Sequence, residues 1–279
     1  MALLRKIYYG LTPDQRLLAR RIAFFPVDLW EIITGKRQGN IPPRGMIYTG
    51  TGDFIAAGKR FLSFFQRYAG LQPHHRVLDV GSGIGRMALP LTKYLAQQGS
   101  YEGFDIVSSG VQWCNKNINT QYPNFRFRWI NLKNDLYSSK GGHAAKFNFP
   151  YQNNDFDLVF LTSVFTHMLP DEVENYMKEI SRVLKPGGNC LATFFVFDNN
   201  NDLAGKHKPY FTFPVDKGYY RLLDPRVKSA NVAYEYSWME NHLARNNQLT
   251  ISSFIPGFWR GIEAGDHNDF QDIVVFQKQ

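Results

Sequence analysis

The clearest sign of chemistry in the sequence is a buried strand that runs into a glycine-rich turn, at residues 77–85. Glycine has no Cβ, so Gly81, Gly83 and Gly85 can adopt positive φ and let the backbone approach a ligand closely. Asp79 lies two positions before Gly81 and places a carboxylate at the end of the strand. There it can receive an ammonium group through a charge-assisted hydrogen bond.

A second carboxylate, Asp105, ends the next predicted strand. In a nucleotide-binding α/β fold this position lies beside the turn, where Asp105 can accept hydrogen bonds from ribose hydroxyls. The turn has the spacing Gly-x-Gly-x-Gly, and Arg86 stands where the dinucleotide-binding pattern needs its third glycine. These residues therefore predict a ligand with an ammonium end and a ribose, and they argue against a nicotinamide dinucleotide.

From His75 onward buried strands alternate with amphipathic helices, the pattern of a parallel sheet covered on both faces. This alternation predicts an α/β fold. The predicted strands are residues 76–80, 101–106, 125–131, 156–162, 189–197, 249–254 and 272–277. The predicted helices are residues 86–97, 109–121, 171–184 and 234–246.

The chain before this alternation has the signals of helices. Residues 12–15 have the form of a capping box with Pro at the first helical position, and Pro26 is expected to restart the chain as a second short helix ending near Gly35. A further helix is predicted between Asp53, as its cap, and Gly70, as its stop.

These patterns divide the chain into an N-terminal helical cap, residues 1–70, and a main domain, residues 71–279. Within the main domain, residues 198–231 are rich in Asn, Lys, Pro and Tyr and have no clean period, which predicts an insertion.

The composition permits a large core, since 44% of the 279 residues are hydrophobic and 15% are aromatic. Cys114 and Cys190 each lie in an apolar segment, so we expect buried cysteines and no disulfide framework. No apolar run approaches the roughly 18 residues of a membrane span. We therefore expect a cytoplasmic protein with no transmembrane segment.

The positive charge is concentrated near the N-terminus. The chain carries a formal net charge of +8, and residues 1–44 hold eight Lys or Arg against three acidic residues, a net charge of +5. Such a basic segment can make peripheral contact with an anionic membrane surface, with nucleic acid or with an acidic partner. A solvated helix face is the alternative interpretation.

Together with residues 156–160 (FDLVF) and 184–188 (LKPGG), the turn and its aspartates resemble the class I S-adenosylmethionine-dependent methyltransferases over roughly residues 71–197. The resemblance implies S-adenosylmethionine as methyl donor, with S-adenosylhomocysteine as product. It also implies a Rossmann-like fold with a seven-stranded, mostly parallel sheet of order 3-2-1-4-5-7-6, helices on both faces and an antiparallel last strand.

The resemblance also implies roles for single residues. Asp79 and the turn would hold the methionine part and Asp105 the ribose, while Asn131 or Asp135, of which we favour Asn131, would contact the adenine amino group. Thr162 and Ser163 would line the methyl-transfer cavity, or they only cap the following turn. The expected cofactor-binding residues are Asp79, Gly81, Ser82, Gly83, Gly85, Asp105, Ile106, Asn131, Thr162 and Ser163.

Methyl transfer from a sulfonium is an in-line displacement, which needs alignment, exclusion of water and, for a hydroxyl acceptor, removal of a proton. His167 follows Thr162 by five residues and is the candidate base, although it can equally be a structural loop histidine. No metal is required. Aromatic candidates for a sulfonium or an apolar acceptor are Tyr48, Phe165, Tyr210, Phe211, Tyr219 and Tyr220.

We expect a small-molecule or lipid-like acceptor, chosen by the cap and by the insertion, which lies where the family often carries a substrate cover. A methyltransferase of RNA or another nucleic acid is an alternative, favoured by the basic balance and by Arg126, Arg128 and Trp129. It is weakened by residues 161–164 (LTSV), because amino-methylating nucleic-acid enzymes of the family have Asn/Asp-Pro-Pro-Tyr there. A noncatalytic module that binds S-adenosylmethionine is the third hypothesis.

Overall fold

Seven strands form the central sheet of the structure, a computed structural model that describes residues 11–37, 40–50, 52–134, 137–138, 140–198, 205–225 and 227–279. In chain order the strands are β1 Arg76–Val80, β2 Ser100–Asp105, β3 Phe125–Trp129, β4 Phe156–Leu161, β5 Leu184–Phe194, β6 Val196–Phe197, β7 Val215–Asp216, β8 Tyr220–Leu222, β9 Val232–Glu235, β10 Leu249–Ile255 and β11 Asp272–Lys278.

The order of the central sheet is β3-β2-β1-β4-β5-β11-β10. Strands β1 to β5 are parallel, and β11 is antiparallel to both of its neighbours. With β10 and β11 as the sixth and seventh strands, the predicted order 3-2-1-4-5-7-6 is confirmed. The carboxyl ends of β1, β2 and β4 therefore meet at one edge, where α/β folds bind their ligands.

Helices cover both faces of this sheet. The α-helices are α1 Pro13–Ile33, α2 Phe54–Ala69, α3 Ala88–Leu91, α4 Ser108–Cys114, α5 Pro170–Val183 and α6 Tyr236–Trp238. Two of them continue as π-helices, Asn115–Asn119 and Met239–Ala244, and the 3-10 turns are Arg44–Met46, Ala144–Lys146, Phe165–His167, Lys228–Ala230, Arg245–Asn247 and Phe258–Arg260.

Alternation along the strands divides the core into two layers, because successive side chains of a strand point to opposite faces. Leu78 and Val80 of β1 belong to the layer that contains α5, whereas Val77 belongs to the layer that contains α2. In the second layer the ring of Phe65 stacks on that of Phe160, with a centroid distance of 4.3 Å. The first layer supports the sheet below the strand ends, and the second fixes α2 beside them.

The predicted bounds of α2 are confirmed. The Asp53 carboxylate accepts a hydrogen bond from the Ala56 N–H at 2.7 Å, and Gly70 ends the helix with φ of +63°. Both cysteines are free and buried, as expected.

The predicted restart of the chain at Pro26 is wrong, because α1 is one helix with Pro26 inside it. Proline cannot donate a hydrogen bond to the carbonyl of Ile22, four residues earlier. Both residues are exposed, so water can satisfy that carbonyl and the helix continues. The capping box of Thr12 and Gln15 is confirmed.

Two other predicted helices are shorter than expected. In residues 86–97 the only α-helix is α3, Ala88–Leu91. Its late start fits Pro90, which has no N–H to bond the carbonyl of Arg86. Residues 234–246 begin in β9, where the Tyr234 N–H donates to the carbonyl of Phe195 at 2.8 Å, and become helical only from Tyr236.

The predicted strand at 189–197 also differs from the structure, which starts it at Leu184 and ends it at Phe194. Val196–Phe197 instead opens a second sheet of order β6-β9-β8-β7. Residues 198–231 contribute β7 and β8 to this sheet, so the segment without a clean period is partly built of short strands.

Among the described residues, no helix is both long enough and apolar enough to cross a lipid bilayer.

Candidate functional site

The glycine-rich turn follows β1 and folds back against β2. The N–H groups of Gly81 and Ser82 both donate to the carbonyl of Phe104, at 2.9 and 3.0 Å. Gly81 has φ of +81°, and a Cβ at this position would lie 2.5 Å from Cγ2 of Val164. Only glycine fits here, both because of the backbone conformation and because the loop after β4 approaches so closely.

Asp105 stabilises this turn through both of its carboxylate oxygens. Oδ2 accepts the Gly83 N–H at 2.8 Å, and Oδ1 accepts the Val107 N–H at 2.7 Å and the Tyr48 hydroxyl at 3.4 Å. Burial raises the pKa of Asp105, and the hydrogen bonds from Val107, Gly83 and Tyr48 oppose that rise. These hydrogen bonds fix the carboxylate at the carboxyl end of β2, and its contact with ribose hydroxyls stays a prediction.

Asp79 is more deeply buried and only half satisfied. Its Oδ2 accepts the Tyr101 hydroxyl at 2.6 Å, whereas its Oδ1 has no hydrogen-bond partner among the described residues. Burial raises the pKa of Asp79 to about 8, with a further rise from the nearby charge of Asp105 and a reduction from the Tyr101 hydrogen bond. A buried acceptor without a partner costs free energy, which a cationic donor from a ligand can recover.

A cavity of about 460 Å³ opens over these groups at the carboxyl edge of the sheet. We call it the main cavity. The predicted cofactor residues that line it are Asp79, Gly81, Ser82, Gly83, Asp105, Ile106, Thr162 and Ser163. The structure therefore brings together eight residues that the sequence places in three separate segments.

Two predicted residues lie outside the main cavity lining. A Cβ at Gly85 would lie 2.7 Å from the Ile118 side chain, so this glycine serves packing below the turn. Asn131 is exposed, while the next residues, Leu132, Lys133 and Asn134, line the cavity. The adenine role of Asn131 stays a prediction, and its alternative, Asp135, lies outside the described residues.

The loop after β4 carries Thr162, Ser163 and His167 to the cavity. Ser163 has φ of +57°, and its N–H donates to the Thr193 hydroxyl at 2.8 Å while its own hydroxyl donates to Oε1 of Gln271 at 3.0 Å. These bonds offset the strain of a left-handed backbone at a residue with a side chain.

Nδ1 of His167 lies 2.9 Å from the carbonyl oxygen of Ser229. A carbonyl can only accept, so Nδ1 carries the proton in this arrangement, and Nε2 is the nitrogen that can take up a second proton. Burial lowers the pKa of His167 below its ordinary value of 6.5, against the opposing effect of the Ser229 and Ala230 backbone. The imidazole is therefore neutral at neutral pH.

Of the six aromatic candidates, Tyr48 and Phe211 line the main cavity. Phe165 is completely buried in the core beneath it. Tyr210, Tyr219 and Tyr220 lie away from its lining. The structure thus selects one aromatic residue from the N-terminal segment and one from the predicted insertion.

Sequence reasoning missed an ion pair at the cavity wall, between Arg60 of α2 and Asp269. Burial raises the pKa of Asp269, and the charge of Arg60 opposes this. Asp269, Phe270 and Gln271 directly precede β11 and all line the cavity. An antiparallel last strand begins where its parallel neighbours end, so this predicted strand contained the signal that could have found them.

Arg86 also faces the N-terminal segment. Its guanidinium donates to the carbonyl of Thr49 and lies over the ring of Phe54, 5.2 Å from the centroid. Arg86 therefore joins the end of the turn to residues of the cap, a contact that a glycine at this position cannot make.

Comparison with known proteins gives the family. The family model of a methyltransferase domain matches residues 78–192, from β1 to β5. The 2-phytyl-1,4-naphtoquinone methyltransferase of Nostoc sp. is 21% identical over 83% of this chain and 94% of that protein. The chain is a class I S-adenosylmethionine-dependent methyltransferase.

The similar proteins carry names that describe different substrates. The tRNA N(3)-cytidine methyltransferase of Gallus gallus is 26% identical over 48% of this chain and 34% of that protein. A solved structure from Pyrococcus horikoshii OT3 has a TM-score of 0.55 at 16% identity, covering 84% of this chain and 95% of that chain, and it supports the fold.

S-adenosylmethionine is accordingly the cofactor of this methyltransferase. The residues present fit it: Oδ1 of Asp79 is a buried acceptor without a partner, and a Cβ at Gly81 would leave no room for the turn. Asp105 adds a second carboxylate whose backbone bonds fix its position.

Proposed function

We propose that this methyltransferase modifies a small-molecule or lipid-like acceptor in the main cavity. The observation that carries the proposal is the apolar character of the lining away from the turn. That part of the wall contains a group of aliphatic and aromatic side chains, with polar residues such as His167, Glu172 and Asn231 between them. The group consists of Leu132, Tyr137, Met168, Tyr176, Phe195, Phe211 and Phe270. Apolar walls with a few polar groups are typical of sites for small organic ligands.

The cofactor-binding roles follow from the geometry of the strand ends. In this proposal Oδ1 of Asp79 receives the ammonium group, Asp105 receives the ribose hydroxyls, and Ile106 packs against the nucleoside. When bound, S-adenosylmethionine supplies the electrophilic methyl group. Gly81, Ser82 and Gly83 supply the close backbone contact, and Thr162 and Ser163 border the space where the methyl group meets its acceptor.

His167 is the candidate general base if the acceptor is a hydroxyl. Its Nδ1–H donates to the carbonyl of Ser229, which orients the ring, and its lowered pKa keeps the ring able to accept a proton at neutral pH. His167→Gln should lower kcat by about 100-fold while S-adenosylhomocysteine affinity, measured by calorimetry, stays unchanged. Full turnover of this variant across neutral pH would reject the role.

The division into a cap and a main domain with an insertion remains part of the proposal. From the cap, Tyr48 and Arg60 line the main cavity, and from the predicted insertion, Phe211 and Asn231 do. These positions support the hypothesis that residues 1–70 and 198–231 choose the acceptor.

The arginines that favoured a nucleic-acid substrate face a buried carboxylate. Glu102 lies 3.4 Å from the guanidinium of Arg126 and 3.9 Å from that of Arg128. It thereby offsets part of the positive charge that a phosphate backbone would need. This arrangement favours the small-molecule acceptor over RNA, although a tRNA methyltransferase is among the similar proteins.

We also infer a cytoplasmic location. The support is that Cys114 and Cys190 are free and buried, which suits a reducing compartment.

Labelled S-adenosylmethionine tests the acceptor class. The full chain is incubated with a total lipid extract, an aqueous metabolite extract or total RNA, and Asp105→Ala serves as the variant with impaired cofactor binding. We expect wild-type protein to transfer label to a lipid or another small organic molecule, and the variant to transfer far less. Label in RNA alone would overturn the proposal in favour of a nucleic-acid methyltransferase.

A further inference from the structure

Helix α1 carries most of the exposed apolar surface of the described chain. Eleven large hydrophobic side chains are exposed in the described residues, and eight of them belong to this helix: Leu18, Ile22, Phe25, Val27, Leu29, Trp30, Ile32 and Ile33. An apolar concentration of this kind marks an interaction surface rather than the scattered exposure found on any protein.

Six of these eight form a continuous stripe, which we call the α1 face: Leu18, Ile22, Phe25, Leu29, Ile32 and Ile33. The first five recur at alternating steps of four and three residues, and Ile33 follows Leu29 by four, so all six lie on one side of an α-helix. Their exposure ranges from 43% at Leu29 to 74% at Ile33. The helix is therefore amphipathic with its apolar side turned outward.

The other side of α1 is attached to the chain that leads to the main cavity. The Asp28 carboxylate accepts the N–H groups of Arg44 and Gly45, at 2.6 and 3.0 Å, and Glu31 forms an ion pair with the Arg44 guanidinium at 2.7 Å. Three residues beyond Gly45, Tyr48 lines the cavity. The α1 face is thus held in a fixed relation to the site.

The described residues 11–37 and 40–44 carry six Lys or Arg against three acidic residues, a net charge of +3, and of the acidic residues Asp14 is exposed at the start of α1. Asp28 and Glu31 are engaged by the Arg44 segment, whereas Arg21 and Lys36 are exposed along the helix and just after it. The ammonium group of Lys36 lies 4.2 Å from the centroid of the Trp30 ring, a pairing of base and aromatic ring suited to a membrane interface.

We infer that α1 lies on an anionic lipid bilayer, with the α1 face in the acyl boundary and its basic residues at the headgroups. The helix has 21 residues but carries three arginines, two aspartates and one glutamate, and it lacks the apolar character of a span. Pairing of two α1 faces would bring basic rims together, which is unfavourable for a second copy as the occupant.

The use of this surface rests on the proposed function, because a lipid-like acceptor resides in the membrane on which the helix would lie. The main cavity would then open close to its acceptor. Vesicle binding itself needs no acceptor and can be measured independently.

The test is sedimentation of the full chain with vesicles of phosphatidylcholine alone or with about one quarter phosphatidylglycerol. We expect binding to the mixed vesicles that weakens as salt is raised, and weak binding to phosphatidylcholine alone. The double variant Ile22→Ser/Phe25→Ser should bind at least about tenfold more weakly, because two large apolar side chains lose their burial in the lipid. Tyr210→Ser removes an exposed aromatic residue elsewhere and should bind like wild type.

Calorimetric affinity for S-adenosylhomocysteine shows whether the double variant is folded. Absence of wild-type binding to anionic vesicles, or equal binding by a folded double variant, would overturn the inference. A wild-type dimer that this variant dissociates, without vesicle binding, would assign the α1 face to a second copy instead. Vesicle binding together with methylation of RNA alone would contradict the proposed acceptor and leave the inference about the α1 face standing.

Discussion

The two sides of the main cavity are built in different ways. On the cofactor side, Asp79, the turn and Asp105 lie in one short stretch of chain, at the ends of the neighbouring strands β1 and β2. Asp105 accepts the Gly83 N–H of the turn, and Asp79 accepts the Tyr101 hydroxyl of β2. On the acceptor side, Arg60 meets Asp269 across a separation of 209 residues, and Phe211 comes from the second, smaller sheet region. The first side is encoded locally, whereas the second exists only when the whole chain has folded.

Among the predicted changes, Gly81→Ala should reduce stability and cofactor affinity the most. Residue 81 belongs to the cofactor side, where the new Cβ would have positive φ and contact Val164. Positive φ costs about 1–2 kcal/mol for a residue with a side chain. Contact of the new Cβ with Val164 adds about 1–3 kcal/mol. Urea unfolding should therefore show a loss of about 2–5 kcal/mol in the free energy of unfolding, together with weaker binding of S-adenosylhomocysteine.

Gly218→Ala is the matched control. Gly218 also has φ of +81°, but a Cβ there meets nothing within 4 Å. It should lose only the backbone cost, about 1–2 kcal/mol. Equal losses in the two variants would show that the approach of Val164 does not constrain the turn.

Asp105→Asn should have the next largest effect, which is on cofactor affinity. An amide in place of the carboxylate loses charge-assisted hydrogen bonds worth about 1.5–3 kcal/mol. Calorimetry should record S-adenosylhomocysteine binding weakened by about 10- to 100-fold.

Asp157→Asn is the control for this change. The Asp157 carboxylate also accepts a backbone N–H, from Arg76 at 2.8 Å, but it lies outside the main cavity lining. Its affinity for S-adenosylhomocysteine should equal that of wild type. Equal weakening in both variants would mean that the cofactor side depends on general stability and not on Asp105.

The affinity for the cofactor should depend on pH through Asp79. In the free protein its pKa is raised to about 8, mainly by burial, so the group is protonated at pH 6 to 7. An ammonium group favours the ionised form, so binding releases a proton and affinity rises with pH toward about 8, approaching tenfold per pH unit. Calorimetry of S-adenosylhomocysteine binding from pH 6 to 8 measures the slope, and Asp79→Asn should flatten it.

The same raised pKa affects stability in the opposite sense. In the unfolded chain an Asp ionises near its ordinary pKa of 3.8, whereas in the folded protein Asp79 stays protonated up to about 8. The contribution of Asp79 to the free energy of unfolding therefore falls as pH rises between these values. A rise of that contribution over this range, isolated by comparison with Asp79→Asn, would place the carboxylate in a more polar site.

Tyr48→Phe should have the smallest effect. The Tyr48 hydroxyl donates to Oδ1 of Asp105 over a long distance, 3.4 Å, so its loss should weaken S-adenosylhomocysteine binding by about two- to fivefold. A larger loss of S-adenosylhomocysteine affinity would mean that Tyr48 contributes mainly to cofactor binding. No loss, combined with a higher KM for the acceptor, would assign it to the acceptor side.

This contrast explains what could be predicted from the sequence. Asp79, Asp105 and the turn lie in strands with clear hydrophobic patterns, and the order of the central sheet follows from the family resemblance. The prediction for helix α1 was wrong at Pro26 because the residues around it are exposed, so water can satisfy the carbonyl that proline leaves free, and a sequence pattern does not show this exposure. Spacing along the sequence does not pair Arg60 with Asp269, and the signal lay instead in the predicted antiparallel last strand, which starts at the cavity edge.

Through Arg86, the turn that would bind the cofactor is connected to the N-terminal segment. Its hydrogen bond to the carbonyl of Thr49 links the end of the turn to residues outside the sheet. Thermodynamic linkage is reciprocal. If the bound cofactor strengthens the contact between Arg86 and Thr49 by some factor, that contact strengthens cofactor binding by the same factor. We therefore expect S-adenosylhomocysteine to slow proteolysis near Thr49, and Arg86→Ala to remove that protection.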